Sequence, residues 1–266
     1  MPYVLYSTEN TTSMNIAAAL TSIAKFERVD DVGGLRHYRH ENLDLLELHT
    51  NMLESDFLDG LIKTDLMVFV CSHTSSKGVA SLTVHSEGNW SGEVKLGGKP
   101  RQISFASPGR MHDILIMMGR NNKIGLPVIY EATHHGPFLK TPSMFVEVGG
   151  DYKALNSPAY ANVVAKSVFE SLFMREDEAG AKTVVAGFGG MHYADKFTRI
   201  AFDKDYAFSH IMPKYYINEV DMVEQAVDRS SIIPERAVIE WKSINAGQRN
   251  GIIKVLDKLG VDHERV

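Results

Sequence analysis

The chain has 266 residues, 44% of them apolar and 23% charged, enough for one large α/β domain and unlike a disordered chain. Its 28 basic and 33 acidic residues leave a net charge of −5, which weighs against a general nucleic-acid binder because phosphate neutralisation draws on Lys and Arg. The single cysteine, Cys71, excludes an internal disulfide framework and a Cys-rich zinc site, so any metal must be held by His, Asp or Glu.

The elements read as follows in chain order. PYVLYS (2–7) is a short strand, and TTSMNIAAALTSIAKF (11–26) a helix with Thr and Ser near its start. LDLLELHT (43–50) is a strand. LMVFVCS (66–72) is a continuous apolar run, the pattern of a strand covered on both faces. ASLTVHSEGNW (80–90) alternates and turns at Gly88, and GGKPRQ (97–102) is a loop. RMHDILIMMGRNNK (110–123) is a helix stopped by Gly125 and Pro127. PVIYEAT (127–133) and SMFVEVG (143–149) are strands, and SPAYANVVAKSVFESLF (157–173) is a helix with Ser157 at the cap and Pro158 first inside it. KTVVAGFGG (182–190) is a buried strand running into glycines, and YAFSHIM (206–212) another strand. NEVDMVEQAVD (218–228) is a helix capped by Asn218, RAVIEW (236–241) a strand, and NAGQRNGIIKVLDKLG (245–260) a closing helix. Strands alternating with helices predict an α/β fold with a mostly parallel or mixed sheet covered on both faces. Residues 1–266 are expected to form one domain, with 72–110 as a loop-rich lobe or lid. No apolar run reaches membrane-span length, and MPYVLYSTEN shows no basic region followed by an apolar core, so a cytoplasmic protein is expected.

EATHHGP (131–137) hangs on the end of a predicted strand, and it is not alone. His73 follows one apolar run, His85 ends another, His192 follows KTVVAGFGG, and His210 ends YAFSH. Groups just past strand ends gather on one edge of a parallel sheet, where ligands bind. Each imidazole by itself is more often a hydrogen-bonded structural residue; the coincidence points to a shared site. Neutral imidazoles with carboxylates such as Glu131 and Glu147 are a donor set suited to zinc. Neither HEXXH nor CxxC is present. His134 and His135 are adjacent, so on an extended strand they would point apart; they share a site only if the turn at Gly136–Pro137 has already begun. Cys71 reads as an inert core thiol. His37, His40, His49 and His263 read as solvated.

CSHTSSKGVASLTVHSEGNW, YEATHHGPFLKTPSMFVEVGG, GFGGMHYADKFT and SHIMPKY resemble, in this order, the D-aminoacyl-tRNA deacylases of the archaeal and plant type. The resemblance covers most of the chain. It implies hydrolysis of the ester between a D-amino acid and the tRNA 3′ end, a zinc requirement, and a three-layer α/β/α fold similar to phosphorylases and peptidyl-tRNA hydrolases. Read from the residues of the matching motifs themselves, His134 and His135, with Glu131, are the catalytic candidates. His134, His135 and His192 lead the metal candidates, followed by His73, His85, His210 and Glu147. From Lys95 to Lys123 there are six basic residues against the single acid Asp113. A solvated basic face is the plainer reading of that stretch; under the resemblance Lys99, Arg101, Arg110 and Arg120, with Lys140 and Lys196, would meet acceptor-stem phosphates. A cytoplasmic monomer acting on D-aminoacyl-tRNA, with no DNA or membrane partner, is expected. The rival readings are a zinc-dependent amidase or peptidase on small acyl compounds, a metal-free tRNA hydrolase, and a ligand-binding module on a similar scaffold.

Overall fold

Two large sheets and a two-stranded ribbon organise the described residues. The computed structural model describes residues 1–74, 78–174 and 182–266. In order, the elements are β1 (Tyr3–Ser7), α1 (Thr11–Ile23), β2 (Glu27–Arg28), β3 (His37–His40), β4 (Leu43–Leu48), α2 (Leu58–Leu61), β5 (Met67–Thr74), β6 (Ser81–His85), β7 (Gly88–Asn89), β8 (Gln102–Ile103), α3 (Pro108–Asn121), β9 (Val128–Tyr130), β10 (Ser143–Gly150), α4 (Tyr152–Leu155), α5 (Pro158–Phe173), β11 (Thr183–Phe188), α6 (Asp195–Lys204), β12 (Tyr206–Met212), α7 (Met222–Asp228), β13 (Arg236–Ile239), α8 (Ala246–Leu259) and β14 (Asp262–Arg265).

The larger sheet has the order β2-β3-β4-β1-β5-β10-β6-β9. Its centre, β4, β1, β5 and β10, is parallel; β6 runs antiparallel to β10 and β9 parallel to β6. The sheet is therefore mixed. The continuous apolar runs reflect burial on both faces. Val68, Val70, Met144 and Val146 face a core shared with Leu20 of α1, Leu115 of α3 and Val164 of α5. On the other face Met67, Phe69 and Phe145 meet Leu58 of α2 and Leu139. A second, all-parallel sheet, β12-β11-β13-β14, turns Val185, Phe208 and Val238 into the first core. It turns Phe188, Met212 and Ile239 towards α7 and α8. Each face carries helix, which gives the α/β/α layering expected from the sequence.

Local chemistry sets several boundaries. Asn10, rather than a Thr or Ser, caps α1 by accepting from Ser13 N–H, and Asn245 with Gln248 forms a full capping box on α8. Ser157 occupies the cap position of α5 without a side-chain hydrogen bond. The helix expected from Asn218 begins at Met222. Strands β2, β3 and β14 and helix α6 carry no strong run in the sequence. His37, expected in solvent, is buried, with Nε2 2.7 Å from Asp44 Oδ1. Of the expected lobe at 72–110, residues 75–77 lie outside the described residues; β6 lies inside the larger sheet, fully buried, and the segment around β7 and β8 is anchored by Trp90 and Ile103 in the second core. Among the described residues no helix is long and apolar enough to cross a membrane.

Candidate active site

Pairing register builds one wall of the site. Glu147 on β10 lies opposite Cys71 on β5 and Thr83 on β6, and Phe145 lies opposite Phe69 and His85. Residues two apart on a strand share a face, so His85, Glu147, Cys71 and His73 project from the same side of the sheet. The second wall is the segment after β9. Ala132 N–H donates to His192 O at 2.8 Å and Ala194 N–H to Tyr130 O at 2.9 Å, which stitches the loop after β11 onto Glu131. Gly88 N–H donates to His135 O at 2.6 Å. His135 has φ +45°, a left-handed conformation that costs a non-glycine residue energy. The turn has therefore begun before Gly136, and this brings two adjacent imidazoles to one place.

The imidazoles converge on a face of the sheet rather than beyond its edge. Ring centroids are 4.5 Å apart for His134–His192, 5.4 Å for His73–His192 and 4.2 Å for His85–His134. Three donor groups have their ligand atoms within 4.8 Å of one another: His73, Glu131, His134 and His192; His85, His134 and His135; and His85, Glu131 and Glu147. All adjoin a cavity of about 620 Å³ whose lining also includes Ser7, Glu9, Asn10 and Ser72, the size range of small-ligand sites.

The ring nitrogens are already sorted. Nδ1 of His134 lies 2.8 Å from Ala132 O, Nδ1 of His135 2.6 Å from Gly136 O, and Nδ1 of His85 3.1 Å from Ser86 O. A carbonyl only accepts, so each Nδ1 carries hydrogen, and the neutral rings of His134 and His135 leave Nε2 as the lone-pair nitrogen. Nε2 of His85, both carboxylate oxygens of Glu131 and Oε2 of Glu147 are buried without a hydrogen bond. His192 Nε2 is 2.9 Å from Glu131 Oε2, yet that oxygen has no hydrogen-bond partner. A lone pair on His134 Nε2 facing Glu131 Oε2 at 3.6 Å is unfavourable unless a proton or cation lies between them.

Protonation follows from burial and neighbours. Burial, with the charges of His85, His135 and His192, pushes His134 well below the usual imidazole range. Burial and His85 lower His135 to about 4. Burial opposes protonation of His85 as well, but Glu147, 3.7 Å away, and then Glu131 outweigh it and raise its pKa to about 9. Burial works against ionisation of Glu147, yet His85 and then His135 and His73 hold it down at about 2. Cys71, expected to be an inert core thiol, donates to Glu147 Oε1 at 3.0 Å; burial and Glu147 push its pKa up, so it is a neutral donor that orients the carboxylate.

Of the sequence candidates, the structure brings together Glu131, His134, His135, His192, His73, His85 and Glu147, and leaves out His210. That residue is fully engaged elsewhere: Nε2 donates to Arg229 O at 2.8 Å, and Nδ1 faces Ser86 Oγ and Thr133 Oγ1 at 3.0 and 3.2 Å. It braces the segment that carries His134 without reaching the donor groups. The basic set scatters too. Arg101 is paired with Glu219 and Asp221. Arg110 donates to Ser171 O and lines a separate cavity with Pro2, Leu66, Asp113 and Lys182 at the amino ends of β1 and β5, opposite the histidines. Arg120 is exposed in the last turn of α3, Lys196 is partly buried at the start of α6, and exposed Lys140 donates its N–H to Asp59. Lys99 lies over the Phe138 ring at 4.7 Å, on the loop whose Leu96 lines the cavity and accepts from Gly136 N–H. Sequence reasoning missed the Ser7–Asn10 turn; the only signal was a polar turn leaving a strand, which is common.

The layered α/β fold carries a buried cluster of imidazoles and carboxylates whose ligand atoms lie close enough to hold a cation. The family model for D-aminoacyl-tRNA deacylase matches residues 61–264. The chain is 34% identical over 259 residues to the D-aminoacyl-tRNA deacylase of Pyrococcus furiosus, covering 94% of each. It is 30% identical to that of Thermococcus kodakarensis over the full length of both, and 34% identical to that of Methanosarcina mazei, covering 82% of this chain and 74% of that one. A solved crystal structure of a conserved protein of unknown function superposes with a TM-score of 0.92 at 27% identity, covering 100% of this chain and 95% of that one. The chain belongs to the D-aminoacyl-tRNA deacylase family.

Proposed function

We propose that the histidine pocket hydrolyses the ester of D-aminoacyl-tRNA, releasing the free D-amino acid and tRNA, and that it does so with zinc held by these imidazoles and carboxylates. Family membership carries the reaction; it makes the protein an ester hydrolase with a tRNA substrate, and favours it over an amidase on small acyl compounds. The cytosol, where aminoacyl-tRNA is made, is the compartment this activity fits. The observation that supports the metal is the pair of fixed Nε2 atoms on His134 and His135 beside Glu131, both of whose oxygens are buried without a donor, and Glu147, whose Oε2 is. Hydrogen-bonding a histidine's outer nitrogen to a carbonyl is how proteins orient metal-ligating imidazoles. His73, His134 and His192 with Glu131 form the donor group that opens to the cavity, and His85, His135 and Glu147 lie behind it. Bound there, zinc would supply Lewis acidity towards the ester carbonyl and acidify a water.

The protein's own groups do the rest. Glu131 Oε2 accepts the proton of the attacking water. The same carboxyl returns that proton to the departing ribose oxygen, beside partly exposed His192, whose Nε2 is 2.9 Å from Oε2. His134 and His135, neutral near pH 7, present lone pairs without first losing a proton. Cys71 fixes Glu147, which in turn fixes His85. Glu131→Gln should lower kcat by about 10²- to 10⁴-fold, the range of a lost general base, while a melting curve shows the fold retained. The decisive assay uses matched D- and L-tyrosyl-tRNA, before and after chelation and after zinc is returned, with metal content measured. Turnover of the D-ester that zinc restores is the expected result; full activity in metal-free protein would remove zinc from the account.

A further inference from the structure

We propose that Glu9 is the counter-charge for the α-ammonium group of the substrate and so takes part in reading the configuration of the α-carbon. The cavity beside the histidines has two carboxylates in its lining, Glu147 and Glu9. Glu147 is buried and occupied by Cys71, His73 and His85. Glu9 is exposed at the mouth and, among the described residues, makes no ion pair: the nearby charge contacts are those of His49 and Arg36 with Glu47. Its backbone is fixed nonetheless. Glu9 N–H donates to Ser7 Oγ at 3.2 Å. The neighbouring Asn10 caps α1 and donates to Ser72 Oγ at 2.8 Å, tying the turn to β5 one residue before His73.

A carboxylate with no ion-pair partner among the described residues, at the entrance of a pocket that must admit the end of an RNA chain, is electrostatically unfavourable, since it repels the phosphates that arrive with the ester. Proximity to the start of α1 explains an acid in this turn but not its place in the cavity lining. A cation that the pocket must hold explains both. An aminoacyl ester carries one such group, the ammonium on the carbon next to the scissile carbonyl. A carboxylate facing it forms a charge-assisted hydrogen bond and opposes the repulsion of the phosphates. The geometry also bears on chirality. With the carbonyl held at the histidines and the nitrogen at Glu9, two substituents of the α-carbon are fixed. Inverting the centre then exchanges hydrogen and side chain, so one enantiomer drives its side chain into the wall.

This inference rests on the histidine pocket being the site of ester hydrolysis, and the experiment separates the two. Wild type, Glu9→Gln and Glu9→Asp are assayed on D-tyrosyl-tRNA and on N-acetyl-D-tyrosyl-tRNA, which keeps the ester and loses the charge. Melting curves accompany each variant. Wild type should favour the free amine by kcat/KM on the order of tenfold or more, as expected for a hydrogen bond to a charged group. Glu9→Gln should bring that ratio towards one by losing activity on the free amine alone, and should narrow the preference for D- over L-tyrosyl-tRNA. Glu9→Asp should restore part of both. A wild type indifferent to N-acetylation, or a Glu9→Gln variant that slows both esters equally, overturns the assignment of Glu9. An active His134→Ala variant instead overturns the pocket itself, whereas an inactive one with an unchanged Glu9→Gln ratio overturns Glu9 alone.

Discussion

His210 shows how far a residue's type is from its role. Its position at the end of YAFSHIM resembles that of His192 after KTVVAGFGG, yet one opens to the cavity and the other is sealed between Arg229 O and the hydroxyls of Ser86 and Thr133. Burial lowers its pKa to about 4, so the folded protein holds it neutral. An unfolded chain protonates the same ring near pH 6.5. Stability from this group is therefore complete above about pH 6.5 and is lost as the pH falls from there to about 4, to a limit of about 3 kcal/mol. His134 and His135 act in the same direction. Chemical denaturation of wild type and His210→Gln between pH 7 and pH 4 should give a shallower fall in the variant, whatever its stability at pH 7. Identical slopes would mean that His210 does not titrate differently in the two states. Cys71 carries the opposite lesson: the sequence suggested only a buried thiol, and the sulfur bonds the carboxylate that holds His85.

Among the elements, the turn after β9 has little room for change. Gly136 is packed against backbone: a Cβ there would lie 2.2 Å from Gly98 N and 2.6 Å from Leu53 O. Neither can move without shifting the loop that bears Leu96 and Lys99 or the segment after β4. Gly136→Ala should cost about 1–3 kcal/mol, as overpacking does, and should lower kcat because His134 and His135 are displaced with the turn. Asn245→Ala at the start of α8 is the matched control. Losing its cap should cost about 1 kcal/mol, and far from the site it should leave kcat alone. If Gly136→Ala melts lower than wild type but keeps full kcat, the turn does not position the imidazoles. Element existence was largely readable. The apolar runs of β5, β10 and β11 and the helices α1, α3, α5 and α8 follow from periodicity and end signals. The β2–β3 ribbon and α6 were not, because DKFTRIAFDK puts three buried residues, Phe197, Thr198 and Ala201, among charges, and a two-residue strand has no period at all.

At the scale of the molecule, charge decides how tRNA approaches. The net charge is −5, Arg101 is neutralised by Glu219 and Asp221, and Arg110 faces the other end of the sheet. Lys99 sits on the loop whose Leu96 lines the cavity. Lys99→Glu should raise KM for D-aminoacyl-tRNA with little change in kcat, and Arg110→Glu should leave KM alone while lowering the melting temperature through Asp113 and Lys182. Few phosphate contacts also mean a weak salt dependence, each contact contributing about 0.7–0.9 to the slope of log K against log salt. Equal rises in KM for both variants would restore a continuous basic face.

The sequence by itself determined the α/β class, the strand ends at which the histidines stand, the exclusion of cysteine-based metal sites and, through motifs spanning most of the chain, the family. These are properties of local pattern. Which imidazoles meet was decided only in three dimensions. His85 reaches Glu147 because β6 enters the sheet antiparallel to β10 with Phe145 opposite His85, and His192 reaches Glu131 because a loop from the second sheet is stitched onto β9. Strand pairing, register and the spread of charge depend on contacts between residues tens of positions apart, and no local pattern encodes them.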